Sequence, residues 1–257
     1  MSRLYVFSAS KMEAGPVIGL AGSNSGDRPP GDPTPLRVGA NELTVKISGM
    51  GTQAARGIAA QALGPWIDGG GAGATEGDKP DAVLVIGLCG GLTASLRESR
   101  IVAYTKCLST EPTQGPLDCS PSITGRLLQL LVSRGITCEP GTGITSPRIG
   151  VSTTAKLALA KSGATVVDME SYEVLAVAAQ ARVPAAVLRV VADTLESKLP
   201  DFNRALDAQG SLDGRKALRV AIGSPVRTLR LLGANKRAMR ELAKALAIVL
   251  SADCFSG

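Results

Sequence analysis

Two stretches decide how this chain is read: Val166-Val167-Asp168-Met169-Glu170-Ser171 and Ala185-Ala186-Val187-Leu188-Arg189-Val190-Val191-Ala192-Asp193. In both, an apolar run of strand-forming residues leads to an acid, and a helix-like stretch follows the first. A strand that stops at a carboxylate usually carries it to the carboxyl edge of a parallel sheet, where open α/β folds bind their ligands. Glu170 and Asp193 are therefore the first candidate site residues, with Asp168 as a supporting acid. The chain contains no histidine. Any acid–base chemistry must rest on carboxylates, lysine, tyrosine, cysteine or water.

Outward from these motifs, strands and helices alternate. Ala82–Ile86 is a continuous apolar run ending at Gly87, and Leu4–Phe7, Leu43–Ile47 and Ile101–Tyr104 read as further strands. Helical spacing covers 52–63, 122–134, 153–161 and 171–181, and from Leu212 onward the pattern is helical and basic. The Gly/Pro/Ser-rich stretch 21–37 and the glycine-bearing stretch 64–80 read as loops. Such alternation predicts an α/β fold: a three-layer α/β/α sandwich around a central mixed, mainly parallel sheet. The length of 257 residues favours one domain, 1–257, with a basic helical region from about 204.

Composition narrows the function classes. Apolar residues make up 44% and aromatics 3%, so the core must be built of small aliphatic side chains. Cys89, Cys107, Cys119, Cys138 and Cys254 show no C-x-x-C pair, which argues against a zinc site or a disulfide framework and fits reduced cytoplasmic thiols. The N-terminus lacks a long apolar signal core, and no apolar window is long enough to span a membrane. Between Arg204 and Lys244, ten Lys or Arg stand against Asp207, Asp213 and Glu241. This region reads first as a solvated helical face and second as a contact with an anionic membrane surface, peripheral to the inner membrane. Nucleic acid is disfavoured, because stacking aromatics are nearly absent.

Four strand ends carry the remaining chemistry: Ala9-Ser10-Lys11-Met12-Glu13-Ala14, Ser48-Gly49-Met50-Gly51, Gly87-Leu88-Cys89-Gly90-Gly91-Leu92, and the Asp-Met-Glu and Val-Ala-Asp pair. None matches G-x-G-x-x-G or a P-loop. In this order they resemble the purine nucleoside phosphorylase and methylthioadenosine/S-adenosylhomocysteine nucleosidase superfamily, with closest likeness to hopanoid-associated nucleosidases. The resemblance runs through Leu199-Pro200 and the Asp213-Gly214-Arg215 turn.

It implies cleavage of an N-glycosidic bond in a purine nucleoside, with no metal or cofactor. On the resemblance, Asp193 is the general acid that protonates the leaving base, Glu170 accepts the ribose hydroxyls and Met169 packs on the sugar. Glu13 orients a water nucleophile, Arg189, Cys89 and Gly90 support that side, and Pro147 and Arg148 frame the base. Glu13 also fits a plain helix N-terminal acid.

Three positions depart from the family: Leu88 and Ala192 replace serines, and Pro147-Arg148 replace an aromatic–aliphatic pair. Pro147-Arg148 put adenine specificity in doubt and argue against methylthioadenosine as the preferred substrate, while the basic tail motivates a lipid-linked adenosyl conjugate such as adenosylhopane. Water is favoured over phosphate because Glu13 would repel an anion; Gly31-Asp32-Pro33, which looks like a phosphate loop, comes too late in the chain. A phosphate-dependent phosphorylase and an inactive nucleoside-binding homologue are the alternatives. The superfamily's habit of forming dimers, trimers or hexamers implies a homo-oligomer.

Overall fold

The computed structural model describes residues 1–21, 35–67, 76–207 and 213–255. Its strands are β1 (Ser2–Ser8), β2 (Leu36–Val38), β3 (Asn41–Ile47), β4 (Ala82–Gly91), β5 (Ile101–Ser109), β6 (Leu117–Asp118), β7 (Cys138–Thr145), β8 (Val166–Asp168) and β9 (Ala185–Asp193). The helices are α1 (Lys11–Leu20), α2 (Thr52–Leu63), α3 (Pro121–Ser133), α4 (Thr153–Ala160), α5 (Ser171–Gln180), α6 (Gly214–Gly223) and α7 (Pro225–Ser251). The sheet runs β2-β3-β1-β4-β8-β7-β5-β6, and β9 pairs with both β4 and β5. The sheet is mixed, and its longest ladders, β1 with β3, β4 with β9 and β5 with β7, are parallel.

Why β1, β4 and β9 read as unbroken apolar runs follows from the layers. Successive side chains of a strand point to opposite faces, so a sheet covered on both sides needs apolar residues throughout. On one face Leu84, Ile86, Ala186 and Leu188 pack with Leu127, Leu131, Leu242 and Leu246 of α3 and α7. On the other, Val83, Val85, Ala185 and Val187 pack with Ala55 and Ala59 of α2 and Val174 and Ala178 of α5. The expected three-layer sandwich is the architecture observed.

Local boundaries differ where glycine intervenes. The strand expected to end at Gly87 continues to Gly91. Gly87 holds φ +145, a value L side chains rarely adopt, and the strand runs on so that Gly90 and Gly91 pair with Val167 and Val166 of β8. Strand β7 has no counterpart in the sequence reading. Of the two stretches read as loops, 22–34 and 68–75 lie outside the described residues, Gly31-Asp32-Pro33 included. Within the described part, Leu36–Val38 forms β2, and Gly64–Trp66 and Glu76–Asp78 are 3₁₀ turns.

Candidate active site

The ends of β1, β4, β8 and β9 meet around a cavity of about 260 Å³ lined by Glu13, Cys89, Gly90, Asp168, Met169, Glu170 and Asp193. Their electrostatic centre is Arg189, whose side chain is fully buried on β9. Its Nε and Nη2 donate to Ser171 Oγ at 3.2 and 2.9 Å, Nη2 to Glu170 Oε2 at 3.3 Å and Nη1 to the Leu88 carbonyl at 3.3 Å. Asp168 Oδ2 lies 3.6 Å from Nε. Burial works against this cation, but the carboxylates of Asp168, Glu170 and Glu13 raise its pKa above the usual arginine range.

Asp168 is a structural acid. Its Oδ1 accepts the Thr145 hydroxyl at 2.7 Å and the N–H groups of Glu170 and Ser171 at 3.1 and 3.0 Å, closing the start of α5. Tyr104 donates to Oδ2 at 2.9 Å. Burial alone would raise its pKa; Arg189 and these donors hold it below the ordinary value. Glu170, at the N-cap of the same helix, is less well served. Gly51 N–H donates to Oε1 at 3.1 Å, and Arg189 is its other partner. Burial wins there, and its pKa is pushed up to about 7.

Glu13 stands in the first turn of α1 and also lines the cavity. Ser10 is the N-cap of α1 and accepts Glu13 N–H at 3.3 Å, while Glu13 Oε2 takes Ala9 N–H at 3.0 Å and Ser10 Oγ at 3.2 Å. This resembles a capping box, with the Ala9 N–H in place of the N-cap N–H. Its other oxygen accepts Leu88 N–H at 2.9 Å and faces the cavity beside Arg189. Gly87 makes that approach possible: a Cβ there would sit 2.5 Å from Glu13 Oε1 and 2.6 Å from Arg189 Nη1. At position 88 the site uses backbone N–H and C=O, which leucine supplies as well as serine. Buried Cys89 has its thiol pKa raised by burial far above the usual value, so it lines the site as an apolar group.

Asp193 closes the opposite end, 9% exposed, in the space left by Gly90. The residue that sequence reasoning missed is its partner: Lys156, 1% exposed, donates from α4 to Asp193 Oδ1 and to the Thr194 carbonyl. Burial raises the Asp193 pKa and the Lys156 ammonium opposes the rise; the net direction is up. Of the two residues expected to frame the base, Arg148 lines the cavity rim. Exposed Pro147 faces a neighbouring depression with Thr52, Gln53 and Glu111 instead. Ile149 and Gly150 take its place, and both backbone groups of Ile149 are fixed by Asn203, at 2.8 and 2.9 Å. Met12, Met50, Leu199, Phe202 and Leu231 make the remaining wall apolar. Among the described residues no group of three His, Cys, Asp or Glu is placed to hold a metal ion.

The sequence profile of the phosphorylase superfamily matches residues 34–217. The chain belongs to the phosphorylase superfamily. Solved structures agree at the level of fold. The methylthioadenosine/S-adenosylhomocysteine nucleosidase of Neisseria meningitidis superimposes with TM-score 0.71 at 14% identity, covering 98% of this chain and 99% of that one. Futalosine hydrolase of Helicobacter pylori gives 0.69 at 15% identity over 96% and 97%. The Helicobacter pylori methylthioadenosine/S-adenosylhomocysteine nucleosidase gives 0.67 at 15% identity over 96% of both chains. No curated protein sequence matches significantly. Within this superfamily chain, the acids singled out in sequence, Glu13, Glu170 and Asp193, line one cavity.

Proposed function

We propose that this superfamily member is a nucleosidase that hydrolyses the N-glycosidic bond of a purine nucleoside whose 5′ group is apolar, an adenosyl conjugate such as adenosylhopane. The observation that carries the reading is the charge balance of the cavity. Four carboxylates, Glu13, Asp168, Glu170 and Asp193, line it, and the two buried cations beside them are already paired, Arg189 with Asp168 and Glu170 and Lys156 with Asp193. The one other cation lining the cavity, Arg148, is exposed at the rim, so a phosphate nucleophile at the Glu13 end would meet Glu13 and Glu170 and only paired cations; a water molecule meets acceptors that orient it.

In this scheme Glu170 accepts the two ribose hydroxyls and Met169 packs on the sugar. Asp193, whose proton affinity burial raises, delivers a proton to the purine as the C1′–N9 electron pair moves onto the base. Water held by Glu13 adds to C1′ of the oxocarbenium-like sugar and passes its proton to the Glu13 carboxylate. Arg189 keeps Glu170 and Glu13 oriented, and the apolar wall accepts the 5′ group. The superfamily precedent for homo-oligomers extends to this chain as part of the same proposal.

Base release from adenosyl nucleosides by the purified chain, with and without phosphate, tests the reading. Release is expected without phosphate, and Asp193→Asn is expected to lose at least about a hundredfold in turnover while still binding the nucleoside. Strict phosphate dependence would make the protein a phosphorylase. Near-normal turnover of Asp193→Asn would remove Asp193 as the acid.

A further inference from the structure

The fold leaves one surface unused. From Gly214 to Arg240 the sequence holds eight Lys or Arg and no Asp or Glu. Along the same stretch Leu218, Ile222, Val226, Leu229 and Leu232 are 58–70% exposed. Leu218 and Ile222 stand four apart on α6, and Val226, Leu229 and Leu232 three apart on α7, so each helix gathers its apolar residues at helical spacing rather than scattering them. Helix α6 has no buried side chain, whereas the second half of α7 buries Leu242, Leu246, Val249 and Leu250 in the core. These apolar side chains therefore turn mostly to solvent instead of joining the core.

We propose that α6 and the first half of α7 dock on an anionic lipid surface. Charge selects this occupant. A second copy meeting the first across a two-fold axis would set eight cations against eight. A nucleic acid would find no aromatic residue between Gly214 and Arg240 on which to stack a base. An anionic bilayer offers phosphates to the arginines and hydrocarbon to the leucines at the same interface. Among the described residues no helix is long and apolar enough to cross a membrane, so the contact is peripheral.

The surface is also continuous with the candidate site. Leu231 and Asn235, from the same stretch of α7, line the nucleoside cavity. Arg227, Arg230 and Leu231 border a groove that reaches Ala192 and Asp193. Docking would set the cavity mouth against the lipid, where a nucleoside with a membrane-embedded 5′ group presents its head. This link to catalysis rests on the hydrolase reading; the docking itself does not.

Sedimentation of the purified full chain with phosphatidylcholine vesicles, with and without phosphatidylglycerol, tests it. Binding is expected to favour the anionic vesicles by about tenfold or more and to weaken as salt screens the charge. Leu218→Glu combined with Leu229→Glu, both outside the cavity, is expected to lower that binding by about tenfold. Base release from a soluble nucleoside should stay unchanged in this variant, while Leu157→Glu, an exposed site elsewhere, should leave vesicle binding intact. Equal binding to neutral vesicles, or undiminished binding by the double variant, overturns the proposal. So does light scattering that shows an oligomer which the double variant dissolves, since a second copy would then cover the exposed apolar residues. Absence of base release by either protein would count against the hydrolase reading and leave the vesicle result standing.

Discussion

Lys156 shows how a single side chain can govern a site without being visible in sequence. It lies in Thr153–Ala160, where Leu157 and Leu159 suggest an apolar inner face. The structure inverts that pattern: Lys156 is the buried residue of α4, and Leu157 is 48% exposed. The lysine goes inward because Asp193 and the Thr194 carbonyl await it, and a buried ammonium so paired avoids most of its desolvation cost. Its presence lowers the proton affinity of Asp193, which burial raises. A general acid works only while protonated, so turnover falls as pH rises through its pKa. Lys156→Gln leaves burial unopposed and should move the high-pH limb of kcat/KM upward by about one unit or more. A pH profile on a soluble nucleoside checks this, and an unmoved limb would confine Lys156 to packing. Arg189, by contrast, was legible: an arginine inside an apolar strand needs buried acids, and Asp168 and Glu170 stand at and just past the end of the preceding strand, one helix before β9.

Among the elements, β7 is the instructive omission. Cys138-Glu139-Pro140-Gly141-Thr142-Gly143-Ile144-Thr145 has neither an apolar run nor a clean alternation. It is a strand because β5 and β8 flank it in parallel and close neighbours forbid larger residues. At Gly143 a Cβ would lie 2.0 Å from Tyr104 Cε2, and at Gly141 it would lie 2.5 Å from Val102 Cγ1. The glycines make room for the Tyr104 ring, and the Tyr104 hydroxyl in turn holds Asp168. Gly143→Ala should therefore displace Tyr104 and destabilise the protein by about 1–3 kcal/mol, measured by chemical denaturation. Release of Asp168 would also loosen the start of α5, so a fall in activity should accompany it. Helices behaved differently: α2 falls where its spacing predicts, and α4 and α5 within a residue of it, because amphipathic periodicity and flanking caps are local signals.

At the scale of the whole molecule, the first and last parts of the chain are tied by one side chain. Asn41 Nδ2 donates to the carbonyls of Leu250 and Ala252 at 2.7 and 3.0 Å, satisfying the carboxyl end of α7 from the start of β3. Close beside it, Gly39 leaves space for Ser251 that a Cβ would enter at 2.7 Å. Asn41→Ala removes the two donors and leaves buried carbonyls unsatisfied. A loss of about 1–3 kcal/mol is expected in denaturation, with an unchanged denaturant slope. No sequence window contains this contact, since its partners are 209 and 211 residues apart.

By itself the sequence determined the layered α/β architecture and three of the acids at the cavity. Both are recorded in short windows: apolar runs for strands covered on two faces, and carboxylates or glycines where those runs end. Only the tertiary structure decided how the acids are partnered. It set Lys156 on Asp193, shared Arg189 among three carboxylates, made Glu13 a capping acid as well as a cavity acid, and left Pro147 off the cavity wall that Ile149 and Gly150 line. These outcomes depend on which charges are buried against one another, and desolvation and Coulomb energies act through space between segments that the chain keeps far apart.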